Sequence, residues 1–213
     1  LGTLVFGVAH ELNNPLSNIS TSCQILKEEV EDGDVEFRRE LLAQIDAETD
    51  RARDVVRSLL EYSRSKEKRS FSFRRAADET IRFMRVEIPA GVNIKTGIPE
   101  DLALYGDRQM IQQAILNLVK NAVDAVQGEG EVSLRAFRDD GDVVIEVADN
   151  GAGIARERLA KIFDPFHTSK EKGYGLGLFI VGNIVDDHGG TISVDSTPGQ
   201  GTVFTIKLPA EGS

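Results

Sequence analysis

Apolar positions in the first third of the chain recur in alternating steps of four and three. Val5, Ala9, Leu12, Leu16, Ile19, Cys23, Leu26 and Val30 form one stripe, the heptad seam of a long helix. Glu31-Asp32-Gly33-Asp34 interrupts it. Gly33 suits the left-handed position after a helix, and Asp34 suits the N-cap of the next. A second helix, over about 35–66, carries Leu41, Leu42, Ile45, Ala52, Val55, Val56, Leu59 and Tyr62 on its seam. Two helices joined by a short turn predict a hairpin. A hairpin offers too little surface to bury its own seam, so a homodimer closing a four-helix bundle is the economical arrangement. The alternative is packing on the second part of the same chain.

Beyond the polar run Ser63–Ser70, a linker or frayed helix end, the period changes. Phe71–Arg75 reads as a short strand, and Ala76–Ile88 as a helix stopped by Pro89. Val92–Thr96 and Ala103–Tyr105 read as strands, and Asp107–Val126 as a long helix. Glu131–Arg138 and Asp142–Ala148 flank Asp139-Asp140-Gly141, a hairpin signal. An irregular glycine-rich stretch over 149–173 precedes a helix at about 175–188. A second hairpin pairs Thr191–Asp195 with Thr202–Leu208. Helices and strands mix without strict βαβ alternation. The expected fold is therefore α+β: an N-terminal helical hairpin, then an α/β sandwich with a mixed sheet. The expected domains are 1–68 and 69–213.

Composition sharpens that boundary. The chain has 213 residues, enough for one large domain or two small ones. Of its 20 glycines, only Gly2, Gly7 and Gly33 precede residue 90, so the second part is the one built to let backbone approach something closely. Lys and Arg number 25 against 35 Asp and Glu, a net charge of −10. A globally acidic chain lacks the cations that neutralise phosphates along a nucleic acid, so no nucleic-acid partner is expected. The single cysteine, Cys23, cannot form an intrachain disulfide and points to a reducing, cytoplasmic compartment. No apolar run reaches the roughly 18 residues of a membrane span, and no signal-peptide pattern is present, so no membrane contact is expected of this stretch. A first residue of Leu1 rather than Met suits a fragment.

Two regions carry candidate chemistry. His10 lies off the heptad seam, on the flank of the bundle, with Asn14 one turn on along the same face and Glu11 beside it. Pro15 crowds the carbonyl of Glu11 and should bend the helix. An exposed, nearly neutral imidazole can act as a nucleophile, and a neighbouring carboxylate can take or orient its other N–H. A lone His-Glu pair is also an ordinary surface feature. A His-Glu-x-x-His zinc site is excluded, because position 14 is Asn. His188, ahead of Gly189-Gly190, reads as a structural residue at a helix C-terminus.

In the second region Asn117, Asn121 and Asp124 fall at i, i+4 and i+7, one polar stripe on an otherwise apolar helix. Such a stripe is either a solvated face or a set of oxygen donors, and oxygen donors sharing a cation with phosphates suit Mg²⁺. Asp149-Asn150-Gly151-Ala152-Gly153 follows a strand. Alone it is a turn, yet its glycines would admit a ligand and Asp149 could accept from an adenine amino group. Gly173-Tyr174-Gly175-Leu176-Gly177-Leu178 opens a helix whose N–H groups suit an anion. Its spacing is not the Rossmann fingerprint, and no P-loop is present. Between these clusters Phe163-Asp164-Pro165-Phe166-His167-Thr168-Ser169-Lys170 has the irregular, polar character of a mobile lid. Lys170 there is a candidate phosphate contact or an ordinary surface lysine.

Taken together, these segments resemble the sensor histidine kinases of two-component signalling over essentially the whole chain. Val8–Leu16 resembles the phosphoacceptor box of the dimerisation and histidine-phosphotransfer domain. Asn117–Ala125 resembles the asparagine box of the Bergerat ATP-binding fold. Asp149–Ile154 and Gly173–Leu178 resemble its glycine boxes, and Phe163–Phe166 its phenylalanine box. His188–Ile192 and Gly201–Phe204 complete the likeness.

The resemblance implies that His10 is autophosphorylated, Glu11 is its general base, and Asn14 orients water in a phosphatase reaction. It implies Asn121 as the Mg²⁺ ligand, Asn117 as a support for the phosphates, and Asp149 as the reader of adenine. Gly151, Gly153, Gly173, Gly175 and Gly177 would shape the pocket and lid, and Lys170 would meet a phosphate. Lys120, Asp124, Ile154, Phe163, Thr168, Ser169, Tyr174, Leu176 and Leu178 complete the implied ATP-binding set. The implied cofactors are ATP and Mg²⁺, and the implied partners a second copy of the chain and a response-regulator receiver domain. Two rivals share parts of the pattern: a gyrase-, chaperone- or mismatch-repair-like ATPase, and a catalytically silent dimeric scaffold.

Overall fold

The computed structural model describes residues 2–28, 35–62, 67–168 and 175–210. The chain divides into two compact units, Leu1–Arg64 and Ser65–Ser213.

The first unit is a pair of long helices, α1 (Gly2–Glu28) and α2 (Val35–Tyr62). Pro15 lies within α1, and the helical run continues on both sides of it. Polar side chains link the two helices: Asn18 Nδ2 donates to Glu48 Oε1 at 3.0 Å, and the buried Ser22 hydroxyl donates to Gln44 Oε1 at 3.4 Å. Leu41 is buried, but the seam residues Leu16 and Leu42 are 54% and 55% exposed.

The second unit is the expected sandwich on a mixed sheet. Five strands lie in the order β2 (Val92–Gly97), β4 (Gly130–Asp139), β5 (Asp142–Asp149), β7 (Gly201–Pro209), β6 (Thr191–Thr197). The β2–β4 pair is parallel and the other pairs are antiparallel. The β4–β5 turn has Asp140 at φ 45° and Gly141 at φ 88°, the type I′ geometry that an Asp-Gly pair favours. A separate antiparallel ribbon joins β1 (Arg69–Ser72) to β3 (Ala103–Gly106).

Helix α4 (Arg108–Ala125) packs on α3 (Phe73–Met84), on α6 (Gly177–Asp187) and on β5. Ile111, Ala114, Ile115, Leu118, Val119 and Ala122 form its buried stripe. It meets Val132, Leu134, Ile145 and Val147 from the sheet and Val181, Ile184 and Val185 from α6 in a dense apolar core.

The boundaries around α3 differ from the sequence pattern. The strand ends at Ser72, and the helix begins at Phe73 rather than Ala76. The Ser72 hydroxyl caps the helix by accepting the Arg75 N–H, and Phe73 is fully buried, so capping and burial override the short alternation. At the other end α3 stops at Met84, four residues before the expected Ile88, and a turn over 85–87 leads to Pro89. A residue preceding proline is driven out of helical conformation, which favours an early stop. Arg69 and Ser70, read as linker, pair with Gly106 and Tyr105. A single helical turn, α5 (Arg156–Leu159), stands inside the stretch expected to be irregular.

Candidate functional site

One end of the sheet and the helices beside it bring the second group of candidate residues together. Asp149 closes β5 opposite Thr202 of β7. Its Oδ1 accepts the Gly151 N–H at 2.8 Å. Burial pushes the Asp149 carboxyl above its ordinary pKa, while the N–H groups of Gly151 and Thr202 pull it back. The product is a partly desolvated hydrogen-bond acceptor, able to take an N–H from a bound ligand.

The loop after Asp149 is wedged between the end of α4 and the β6–β7 turn. Ala152 N–H donates to Ala125 O at 2.9 Å, and a Cβ on Gly151 would lie 2.3 Å from that same carbonyl oxygen. A Cβ on Gly153 would lie 2.2 Å from Thr197 O. No larger residue fits at either place without moving backbone. Ile154 N–H donates to Ser196 Oγ at 2.8 Å, and Ser196 Oγ lies 2.9 Å from Thr202 Oγ1. Ser196 and Thr202 thus brace the Asp149 loop, although neither belongs to the set read from sequence. The β5–β7 pairing places Thr202 opposite Asp149, a position that the family likeness of Gly201–Phe204 does not by itself assign.

Across the loop stands the polar stripe of α4. Asn117 and Asn121 are half-buried and Asp124 is exposed. The start of α6 approaches Asn117: a Cβ on Gly177 would sit 3.7 Å from Asn117 Oδ1. At the α6 N-cap, Leu176 is buried and supplies no side-chain cap. First-turn N–H groups have no intrahelical acceptor, and an anionic ligand is the group that suits them. Lys120 points elsewhere: its Nζ lies 3.7 Å from Glu87 Oε2, just beyond the end of α3.

The segment 163–168 is anchored at its base. Phe163 packs edge-on against Phe204, with ring centroids 6.4 Å apart, next to the buried Ile162. Phe166 adopts φ 65°, a left-handed conformation rare for a bulky side chain, and its N–H donates to Gly175 O at 3.0 Å. Gly175 has φ 64°, and a Cβ there would fall 2.5 Å from the Phe166 carbonyl carbon. Glycine is required on both counts. Thr168 is exposed at the end of this anchored base, and Leu178 lies half-buried in the first turn of α6. Ser169, Lys170, Gly173 and Tyr174 lie outside the described residues. In the first unit Asn14 is half-buried on α1, whereas the side chains of His10 and Glu11 fall outside those described. Among the described residues, no cluster of three or more His, Cys, Asp or Glu could hold a metal ion.

Two family models match the chain. The His Kinase A (phospho-acceptor) domain matches residues 1–68, and the histidine kinase-, DNA gyrase B- and HSP90-like ATPase matches 106–212. The catalytic domain of histidine kinase ThkA is 31% identical, with a TM-score of 0.63 over 68% of this chain and 96% of that one. The chain belongs to the sensor histidine kinases. Its kinase relatives include the signal transduction histidine-protein kinase AtoS of Escherichia coli (strain K12), 35% identical over 98% of this chain and 35% of AtoS. ThkA in complex with the response regulator protein TrrA superposes on the kinase chain with a TM-score of 0.76 at 28% identity, covering all of this chain and 62% of that one. The chain spans 35% to 46% of the length of the first curated relatives it matches. The second unit therefore carries the ATP-binding fold of this family. Among the described residues, no helix of this kinase is long and apolar enough to cross a membrane.

Proposed function

We propose that this chain is the ATP-dependent autokinase core of a two-component sensor. The observation that carries the reading is the convergence of four elements on one side of the second unit. These are the desolvated Asp149 acceptor, the glycine-tight loop behind it, the α4 asparagine stripe and the uncapped start of α6. They form a nucleotide site in which adenine lies against Asp149 and the phosphates against Asn117, Asn121 and the α6 N-terminus. Gly151, Gly153, Gly173, Gly175 and Gly177 shape that site, and Lys170 on the lid contacts a phosphate.

The donor set fits Mg²⁺. Asn121, with Asn117 one turn away, offers neutral oxygens rather than an acidic cage. Mg²⁺ commonly takes one or two protein oxygens together with phosphate oxygens and water. Bound there, it would offset phosphate charge.

In the reaction, a lone pair on one ring nitrogen of His10 attacks the γ-phosphorus. The bond to the β–γ bridging oxygen breaks, ADP leaves, and Glu11 takes the proton from the other ring nitrogen. Catalysis is mainly positioning and charge stabilisation. The phosphoryl group then passes to an aspartate of a response-regulator receiver domain, in the way that ThkA is seen bound to a response regulator. Asn14, on the same helix face as His10, orients water for removal of that group from the regulator.

Residues 1–68 act as the dimerisation and phosphotransfer domain and 69–213 as the catalytic domain, both on the cytoplasmic side, where ATP is supplied. The exposed Leu16 and Leu42 support a homodimer, since a second copy covers the seam.

Incubation with γ-labelled ATP and Mg²⁺ tests the reading. Acid-labile, alkali-stable label is expected on the wild-type chain and absent from His10→Gln. Label of equal intensity in His10→Gln would refute the assignment. ATP hydrolysis without a phosphoenzyme would favour a gyrase-like ATPase instead.

A further inference from the structure

His188 is buried, 8% exposed, at the C-terminal end of α6. Its hydrogen bonds dictate its protonation. Nδ1 lies 2.6 Å from Ile184 O, which can only accept, so Nδ1 carries the proton. Nε2 lies 2.9 Å from the backbone nitrogen of Asp107, which can only donate, so Nε2 is the bare acceptor. The Cδ2–Nε2 edge of the ring packs tightly against backbone, for a Cβ on Gly106 would lie 2.6 Å from Cδ2 and 2.9 Å from Nε2. A neutral imidazole of one tautomer therefore bridges two helices. It grips α6 at its last turn and α4 at its N-cap, where Asp107 Oδ1 accepts the N–H groups of Gln109 and Met110 at 2.9 and 3.1 Å.

The same two helices meet again where Gly177, at the start of α6, faces Asn117 in the middle of α4. They run antiparallel. Ten or so helical residues, about 15 Å, separate the His188 bridge from the Gly177–Asn117 contact. The bridge thus sets how far α6 slides along α4, and with it where the phosphate-facing start of α6 lies against the asparagine stripe.

We propose that His188 is a positioning residue for nucleotide binding, holding the two helices of the ATP site in register through its bare Nε2. The proposal rests on the nucleotide site described above and assigns that site a control point distant from the ligand. Protonation at Nε2 would replace the acceptor with a donor facing another donor. Burial pushes the His188 pKa down, the Ile184 carbonyl raises it, Lys68 beside β1 lowers it, and Asp107 and Asp187 raise it. Lys68 Nζ also donates to Asp187 O at 2.6 Å, so the residue entering the second unit touches the same helix end.

Two substitutions separate the acceptor from the packing. His188→Phe keeps a flat ring against Gly106 and removes the acceptor. His188→Gln replaces Nε2 with an amide oxygen able to accept the Asp107 N–H. The dissociation constant of a fluorescent ATP analogue is measured on the full chain with Mg²⁺, at a temperature where circular dichroism shows each variant folded. The expected outcome is about a tenfold rise in Kd for His188→Phe and a change within about twofold for His188→Gln. As pH falls from about 7.5 through and below the ordinary histidine range, to the lowest pH at which both chains stay folded, wild type should lose more affinity than His188→Gln, since titration of ATP itself is common to both. Equal Kd for wild type and His188→Phe overturns the proposal, as does equal loss in Phe and Gln variants. If the Phe variant fails to fold, the acid comparison decides: parallel curves overturn the proposal and diverging curves support it. Failure of the wild type to bind the analogue at every pH would instead overturn the nucleotide-site reading.

Discussion

The two units of this chain solve the burial problem in opposite ways. The ATP-binding unit encloses its own core: Leu118, Val119, Leu134, Ile145 and Ile184 are each 1% exposed or less. In the hairpin, Leu41 is the buried hydrophobic among the residues described, while Leu16 and Leu42 stay more than half exposed. A sheet covered by helices has enough facing surface to dry its interior. Two helices alone present a seam with nothing opposite. The ATP-binding unit is therefore expected to be stable by itself, and the hairpin to depend on a second copy.

The sharpest way to break this contrast is a cavity in the enclosed core. Leu118→Ala is expected to cost about 2–5 kcal/mol and to lower the melting temperature of the ATP-binding unit steeply. A negligible shift in a thermal melt of the full chain would show that this core is not its main source of stability.

A smaller effect, read by a different observable, is expected in the hairpin. Leu42→Asp places a charge on the proposed dimer seam, and losing that leucine from each copy weakens association by about 2–4 kcal/mol. Sedimentation over a concentration series should show monomer where wild type is dimeric, with the melt of the ATP-binding unit unchanged. Unaltered association would place the dimer contact elsewhere.

The third difference is the smallest and concerns a site that works against its own fold. Burial holds the Asp149 pKa above its usual value, so the protonated acid is the form that folding favours. The corresponding stability is fully present below the unfolded carboxyl pKa and is lost as pH rises through the higher folded value. At neutral pH the carboxylate is thus a stability cost. Asp149→Asn keeps an oxygen for the Gly151 N–H and removes the charge. It is expected to raise the melting temperature by about one to three degrees while weakening ATP binding about tenfold or more. A lower melting temperature would overturn the first expectation, and unchanged affinity the second. His188 has the opposite sign: its neutral form supports the fold fully above the ordinary histidine pKa and loses that support as pH falls through the lowered folded value.

Periodicity and glycine placement make much of this fold legible in the sequence. Steps of four and three mark a helix seam in any context, because 3.6 residues per turn is a property of the backbone. Asp140-Gly141 announces its turn because few residue pairs tolerate positive φ twice. The pocket boxes were legible for a related reason, since glycine at 151, 153 and 175 answers contacts that no side chain would fit. The start of α3 is not legible locally, because a capping serine and a buried phenylalanine outweigh a five-residue alternation.

By itself, then, the sequence determined most of the elements, their order and the family, because each is encoded over a few neighbouring residues. Tertiary structure alone decided that Thr202 pairs with Asp149, that Ser196 braces Ile154, and that His188 reaches 81 residues back to Asp107. Those partners are set by strand order and helix packing, which bring together residues whose separation along the chain carries no local signal.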